Sequence, residues 1–150
     1  NLKQKYSLKP HLANEIIKQK IDFAELVKKY KNIKPEFIAS TIIESPKEIK
    51  KRYSLDIDIF DYIHEIFSKL NNGKITKEAV FEILLEYAKG KKPNYSKYKP
   101  LSEKEIKKEV LKIISENKSA PIGALMGKAM SKFRGKVPGK KVMQIIKENI

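Results

Sequence analysis

Nine positions between residues 127 and 141 carry most of the chemistry this chain offers. Gly127, Lys128 and Lys132 occupy one periodic segment, and Arg134, Gly135, Lys136, Gly139, Lys140 and Lys141 follow in the run RGKVPGKK. Cations attract phosphate, and glycines let a sugar-phosphate chain approach the backbone. These residue types in this order therefore point to a seat for a polyanion. Pro138 and Gly139 are placed to begin a helix, whose unpaired N–H groups and partial positive charge would sit among the same cations. Contacts of this kind position a nucleic acid without reading its sequence, and they weaken steeply with salt. Tyr95 and Tyr98, interleaved with Lys97 and Lys99, are candidates to stack on an exposed base, although tyrosines in such a stretch more often pack on a domain edge.

No catalytic constellation accompanies them. The absence of cysteine removes disulfides, thiolate nucleophiles and thiolate metal sites together. His11 and His64 have no partner at metal-ligand spacing, and His64, between Ile63 and Glu65, reads as structural. NNGKIT lacks the first glycine of a phosphate loop, and its lysine is followed by Ile75. Asp56, Asp58 and Asp61 lack the spacing, glycine and closing glutamate of a calcium loop. No catalytic residue and no metal site is assigned, so the chain is expected to bind rather than to react.

The charge is placed unevenly. Residues 1–90 hold 17 cations against 13 acids, whereas residues 91–150 hold 16 against 5, within a net charge of +15. The positive field therefore lies in the shorter second part, where it would recruit polyanions and speed their encounter. Only Arg52 and Arg134 break an otherwise all-lysine usage, which is also a thermophile's habit, so local concentration counts for more than the total. No apolar run approaches a bilayer span and no signal pattern opens the chain, which is expected to be soluble and cytoplasmic. It begins at Asn1 inside a polar stretch, and a preceding segment is expected.

The elements that must position these residues all read as helical. Asp22 and Glu25 form a capping box ahead of Phe23, Leu26, Val27 and Tyr30. Pro35 suits a first turn before Phe37, Ile38, Ile42 and Ile43, and Ser45-Pro46 is expected to restart the helix rather than bend it. Ile59 to Leu70 trace a further buried face that Gly73 ends, and Thr76 caps the next helix. Ser102 and Glu105 open another, with Ile106, Val110, Ile113 and Ile114 inward. In the segment from Ile122, the residues Leu125, Met126, Ala129, Met130 and Phe133 share its arc, with Gly123, Gly127 and Ser131 on a second stripe. Such a stripe more commonly receives a neighbouring helix, and otherwise a close-lying phosphate backbone; spacing alone does not choose. The fold class is all-α: a helical bundle domain over 1–95, a basic connection over 91–100, and a three-helix tail over 101–150.

Three stretches carry a family likeness. FIASTIIESPKEIKKRY, NNGKITKEAVFEILLEYAKG and GALMGKAMSKFRGKVPGKKVMQIIKE, in this order, resemble the C-terminal part of the B-type and E-type subunits of the tRNA-dependent amidotransferases, closer to the archaeal E type. The resemblance implies a helical domain followed by a YqeY-like tail, both serving to hold tRNA. It further implies that the complete subunit activates the glutamyl group of Glu-tRNA(Gln) with ATP and Mg and passes it to ammonia from a partner amidase of the D type, giving Gln-tRNA(Gln). The phosphorylating site would belong to a preceding domain, and no cofactor is expected in this chain. The tail's RNA-facing role would fall on Gly127, Lys128, Arg134, Gly135, Lys136, Gly139, Lys140 and Lys141.

Two alternatives stay open at this level. One is a stand-alone helical nucleic-acid-binding module without amidotransferase activity. The other is a tail whose lysines meet an acidic protein surface.

Overall fold

The computed structural model describes residues 1–133 and 137–150. Arg134, Gly135 and Lys136 lie outside the described residues. Among those described, every regular element is helical and no strand occurs. The chain divides into two compact units, one of residues 1–73 with 81–93 and one of residues 74–80 with 94–150.

In the first unit, α1 (Leu2–Lys5) leads to α2 (Pro10–Lys18), which starts on a proline whose missing N–H costs nothing there. Leu12, Ala13 and Ile16 give α2 its buried face. In α3 (Phe23–Lys29) the Asp22 carboxylate accepts the Glu25 N–H at 3.2 Å, as the sequence predicts. Phe23 meets the Tyr6 ring edge-on at 5.2 Å. Both α2 and α3 pack on α4 (Pro35–Tyr53).

The expected restart at Pro46 does not occur, because α4 runs unbroken through it to Tyr53. An interior proline removes a hydrogen bond and costs roughly 3 kcal/mol or more. Against this, Ile38, Ile42 and Ile49 lie on one face, all at most 2% exposed, and a break at Pro46 would swing Ile49 out of that row. Burying one such side chain contributes roughly 1.5–3 kcal/mol, which offsets most of the proline's cost. Tertiary packing here overrides local propensity.

A 3-10 turn (Ile59–Asp61) leads to α5 (Ile63–Asn71), which places Ile63, Ile66 and Phe67 in the core. Gly73 ends it at φ +71°, a left-handed conformation that glycine adopts freely, with its N–H donating to the Leu70 carbonyl at 3.0 Å. His64 is structural, as its sequence neighbours predict: its Nδ1 shares a 2.8 Å hydrogen bond with the Tyr30 hydroxyl. In α6 (Val80–Ala88) the residues from Phe81 onward belong to this unit, with Ile83 and Leu84 fully buried and Tyr87 stacked on Tyr62 at 4.3 Å.

In the second unit, Thr76 stands in the extended cap conformation ahead of a 3-10 turn (Lys77–Ala79), but its hydroxyl makes no cap bond to that turn. A further 3-10 turn covers Tyr95–Tyr98, capped by the Asn94 side chain. The three tail helices follow. α7 (Glu103–Glu116) opens with the Ser102 hydroxyl accepting the Glu105 N–H at 3.2 Å. α8 (Ile122–Lys132) and α9 (Gly139–Glu148) complete a three-way packing in which each helix touches the other two. Val110, Ala129, Val137 and Val142 are fully buried at its centre, with Phe133 and Ile146 beside them.

Candidate nucleic-acid interface

The α8 wheel comes out as the sequence predicts. Leu125, Ala129 and Phe133 are buried, and Ile122, Met126 and Met130 pack partly against the same core. Gly127 lies two residues from Ala129, about 200° around the axis, and so faces away from the core. Gly123, Gly127 and Ser131 are all exposed. A Cβ built on Gly123 or Gly127 would find nothing within 4 Å, so neither glycine serves to admit a neighbouring helix. The stripe is an open ridge. Gly139 is different, because a Cβ there would stand 3.4 Å from the Met126 Cε and 3.7 Å from the Met130 Cε. These are ordinary van der Waals distances to flexible side-chain ends, so the start of α9 rests on the α8 methionines without requiring a glycine there.

Three lysines of the tail helices are held rather than free. Lys128 donates to the Asn117 Oδ1, Lys132 pairs with Glu109, and Lys141 pairs with Glu103. Rising numbers on α8 meet falling numbers on α7, so these two helices run antiparallel. Lys128 and Lys132 therefore line the α7–α8 seam, whereas Lys141, on α9, meets Glu103 on the other flank of α7, about 120° around that helix from Glu109. At 1.5 Å per residue the two α8 lysines meet α7 at points about 12 Å apart along its axis. Lys140 is exposed at the start of α9, where the helix N-terminus adds partial positive charge.

The pairs leave a mark on the acids. The hydrogen bond from Lys132 holds the Glu109 carboxyl below its ordinary range against the opposing effect of desolvation, and nearby lysines add to this. The hydrogen bond and charge of Lys141 do the same to Glu103. Both lysines and Glu103 keep at least 35% of their side-chain surface exposed, and Glu109 keeps 31%. Pairs so exposed contribute little to stability, so an array of phosphates can compete for the lysines. Periodicity does not reveal these two carboxylates as partners. They stand far from their lysines along the chain, and only the packing of the tail helices brings them into reach.

The two linker tyrosines fare differently. Tyr98 is only 4% exposed, which corrects its assignment as a stacking platform: a ring enclosed by protein has no face left for a base. Tyr95 is half-buried within the same 3-10 turn. The expected contributions of Arg134, Gly135 and Lys136 lie outside the described residues. Among the described residues no group of three or more His, Cys, Asp or Glu side chains gathers as metal ligands, and no helix is long and apolar enough to cross a membrane.

Residues 22–150 match the family model described as the GatB domain, with YqeY in its name. The chain belongs to this family. The GatB-domain chain is 34% identical to the E-type subunit of the Glu-tRNA(Gln) amidotransferase of Methanocaldococcus jannaschii, over 99% of its own length and 26% of the relative's. It is 36% identical to the protein of the same name from Sulfurisphaera tokodaii, over 95% of itself and 25% of that protein. The corresponding figures for the Thermococcus gammatolerans relative, which also bears that name, are 31%, 98% and 26%. The chain thus spans about a quarter of the length of these relatives. No solved structure matches it.

Proposed function

We propose that this GatB-domain chain is the tRNA-holding region of a Glu-tRNA(Gln) amidotransferase subunit of the E type. The complete subunit would use ATP and Mg to activate the glutamyl group of Glu-tRNA(Gln), at a site in a preceding domain. A D-type amidase would deliver the ammonia that yields Gln-tRNA(Gln) in the cytoplasm. This chain contributes no catalytic group and acts by holding the substrate RNA. The relatives' shared name favours this reading over a stand-alone nucleic-acid-binding module.

One observation supports the role in RNA binding: a solvent-facing glycine ridge on α8 runs beside Lys128 and Lys132 of the same helix. Nucleic acid carries a dense line of negative charge, which cations set beside an open ridge can engage. The open glycines let the backbone of the RNA lie close to the backbone of the helix. Titrating labelled tRNA(Gln) at several salt concentrations tests the proposal. The logarithm of the affinity is expected to fall linearly with the logarithm of salt, with a slope near one per phosphate neutralised. An affinity indifferent to salt overturns it and favours a protein partner.

A further inference from the structure

The first unit carries a second cationic surface of different make. Lys50, Lys51 and Arg52 crowd the last turn of α4, and Tyr53 ends it. The Arg52 guanidinium lies 5.3 Å from the Tyr53 ring centre and 5.9 Å from that of Phe81. From the turn just past α6, the Lys89 ammonium reaches within 5.6 Å of the same Tyr53 ring. Two cations from different parts of the chain thus converge on the ring of Tyr53, a residue that remains 36% exposed.

Helix-end electrostatics explain only part of this. Cations in a last turn complement the helix dipole, and Lys50 and Lys51 already serve that purpose. Arg52 has a carboxylate partner in Glu48 at 3.6 Å, yet the guanidinium also reaches both rings. It is one of only two arginines among 33 cations. Arginine differs from lysine in presenting a flat, weakly hydrated plane that stacks on rings and bases alike. A planar cation, an exposed phenol ring and an ammonium side by side suit a ligand that is itself a flat ring joined to a phosphate.

We propose that the Arg52–Tyr53–Lys89 surface seats an unpaired nucleotide of an RNA, with the base stacked on Tyr53 and the adjoining phosphate between the two cations. Stacking of this kind tolerates any base, because every base has a π-face, while the cations track the backbone. The proposal rests on the chain's role in holding RNA and adds to it a contact for single-stranded RNA outside the tail.

Fluorescently labelled oligouridylate, which stacks little on itself, is the probe, and its anisotropy with the full chain at fixed low salt is the measurement. Tyr53→Leu keeps the bulk and is expected to weaken binding about 5- to 150-fold, the range for losing one stacked base, whereas Tyr53→Phe binds as the parent does. Arg52→Gln is expected to reduce the salt slope by about one. Oligouridylate binding unaltered by Tyr53→Leu, or weakened as much by Tyr53→Phe as by Tyr53→Leu, overturns the proposal. So does polyglutamate that competes as well as unlabelled oligouridylate of equal charge, which would mark a surface for an acidic protein. A chain whose tRNA affinity ignores salt, but whose oligouridylate affinity still depends on Tyr53, supports this proposal and overturns the tail's role. The two ideas therefore fail separately.

Discussion

Lys132 on α8 forms an ion pair with Glu109 on α7, across the seam where the two antiparallel tail helices meet. The hydrogen bond holds the Glu109 carboxyl below its usual range. A carboxylate whose folded-state value is depressed adds stability that is fully present above its unfolded value, and that is lost as pH falls through the folded value. The tail should therefore lose this contribution only in the acid range below 4.5, the ordinary glutamate value. Thermal melts of the parent and of Glu109→Gln, taken across that range, are expected to converge at low pH and separate slightly at neutral pH. A gap that stays constant with pH would show that the pair adds no linked stability.

Releasing the lysines should help a polyanion. Glu109→Gln and Glu103→Gln free Lys132 and Lys141 from their carboxylates. Each change is expected to tighten tRNA binding at low salt by about two- to fivefold, since exposed pairs of this kind are weak. If either change weakens binding, the paired geometry itself is what the RNA recognises.

Gly127→Ala should move stability and binding in opposite directions. The added methyl group meets no neighbour, and alanine in an exposed helix interior is better than glycine by about 0.5–1 kcal/mol. For a domain of this size that corresponds to a melting temperature higher by roughly 2–8 °C. Affinity for tRNA should fall if a phosphate backbone rests on the ridge, and fall further with Gly127→Gln. Unchanged affinity in both variants would separate the ridge from RNA binding.

Charge reversal gives a blunter check. Changing Arg134, Lys136, Lys140 and Lys141 together to glutamate should leave the helical circular dichroism intact while tRNA binding collapses. Binding that survives would remove these residues from the interface.

Pro46→Ala tests how α4 tolerates its interior proline. Relieving a cost of roughly 3 kcal/mol, less the roughly 0.4–1 kcal/mol by which proline stiffens the unfolded chain, predicts a net gain of about 2 kcal/mol. Urea denaturation of the variant should show a higher midpoint with the same slope. A lower midpoint would mean that the core around Ile42 and Ile49 depends on the geometry the proline imposes.

Local signals were legible in the sequence, and signals that depend on distant chain were not. Asp22, Ser102 and Gly73 each declare a helix end through the chemistry of one or two residues, and each stands where that chemistry requires. The α8 arc was equally legible, because a single helix fixes which of its residues share a face. Spacing left open whether the glycine stripe was covered, since that depends on where α7 and α9 settle. Pro46 misled for the same reason: its local preference was plain, and the packing of Ile49 that outweighs it was not. Tyr98 shows a ring in a basic stretch whose burial no periodicity announces. The partners of Lys132 and Lys141 emerge only once the helices are laid side by side.

The two uncovered glycines also set how α8 behaves in time. With no side chain to shield them from water on that flank, its amide-to-carbonyl bonds should open more readily than those of α7 or α9, and its amide protons should exchange with deuterium sooner. Whatever settles on residues 123–131 will slow that exchange where it touches, so the footprint of a ligand there should be recorded along the helix without any label on it.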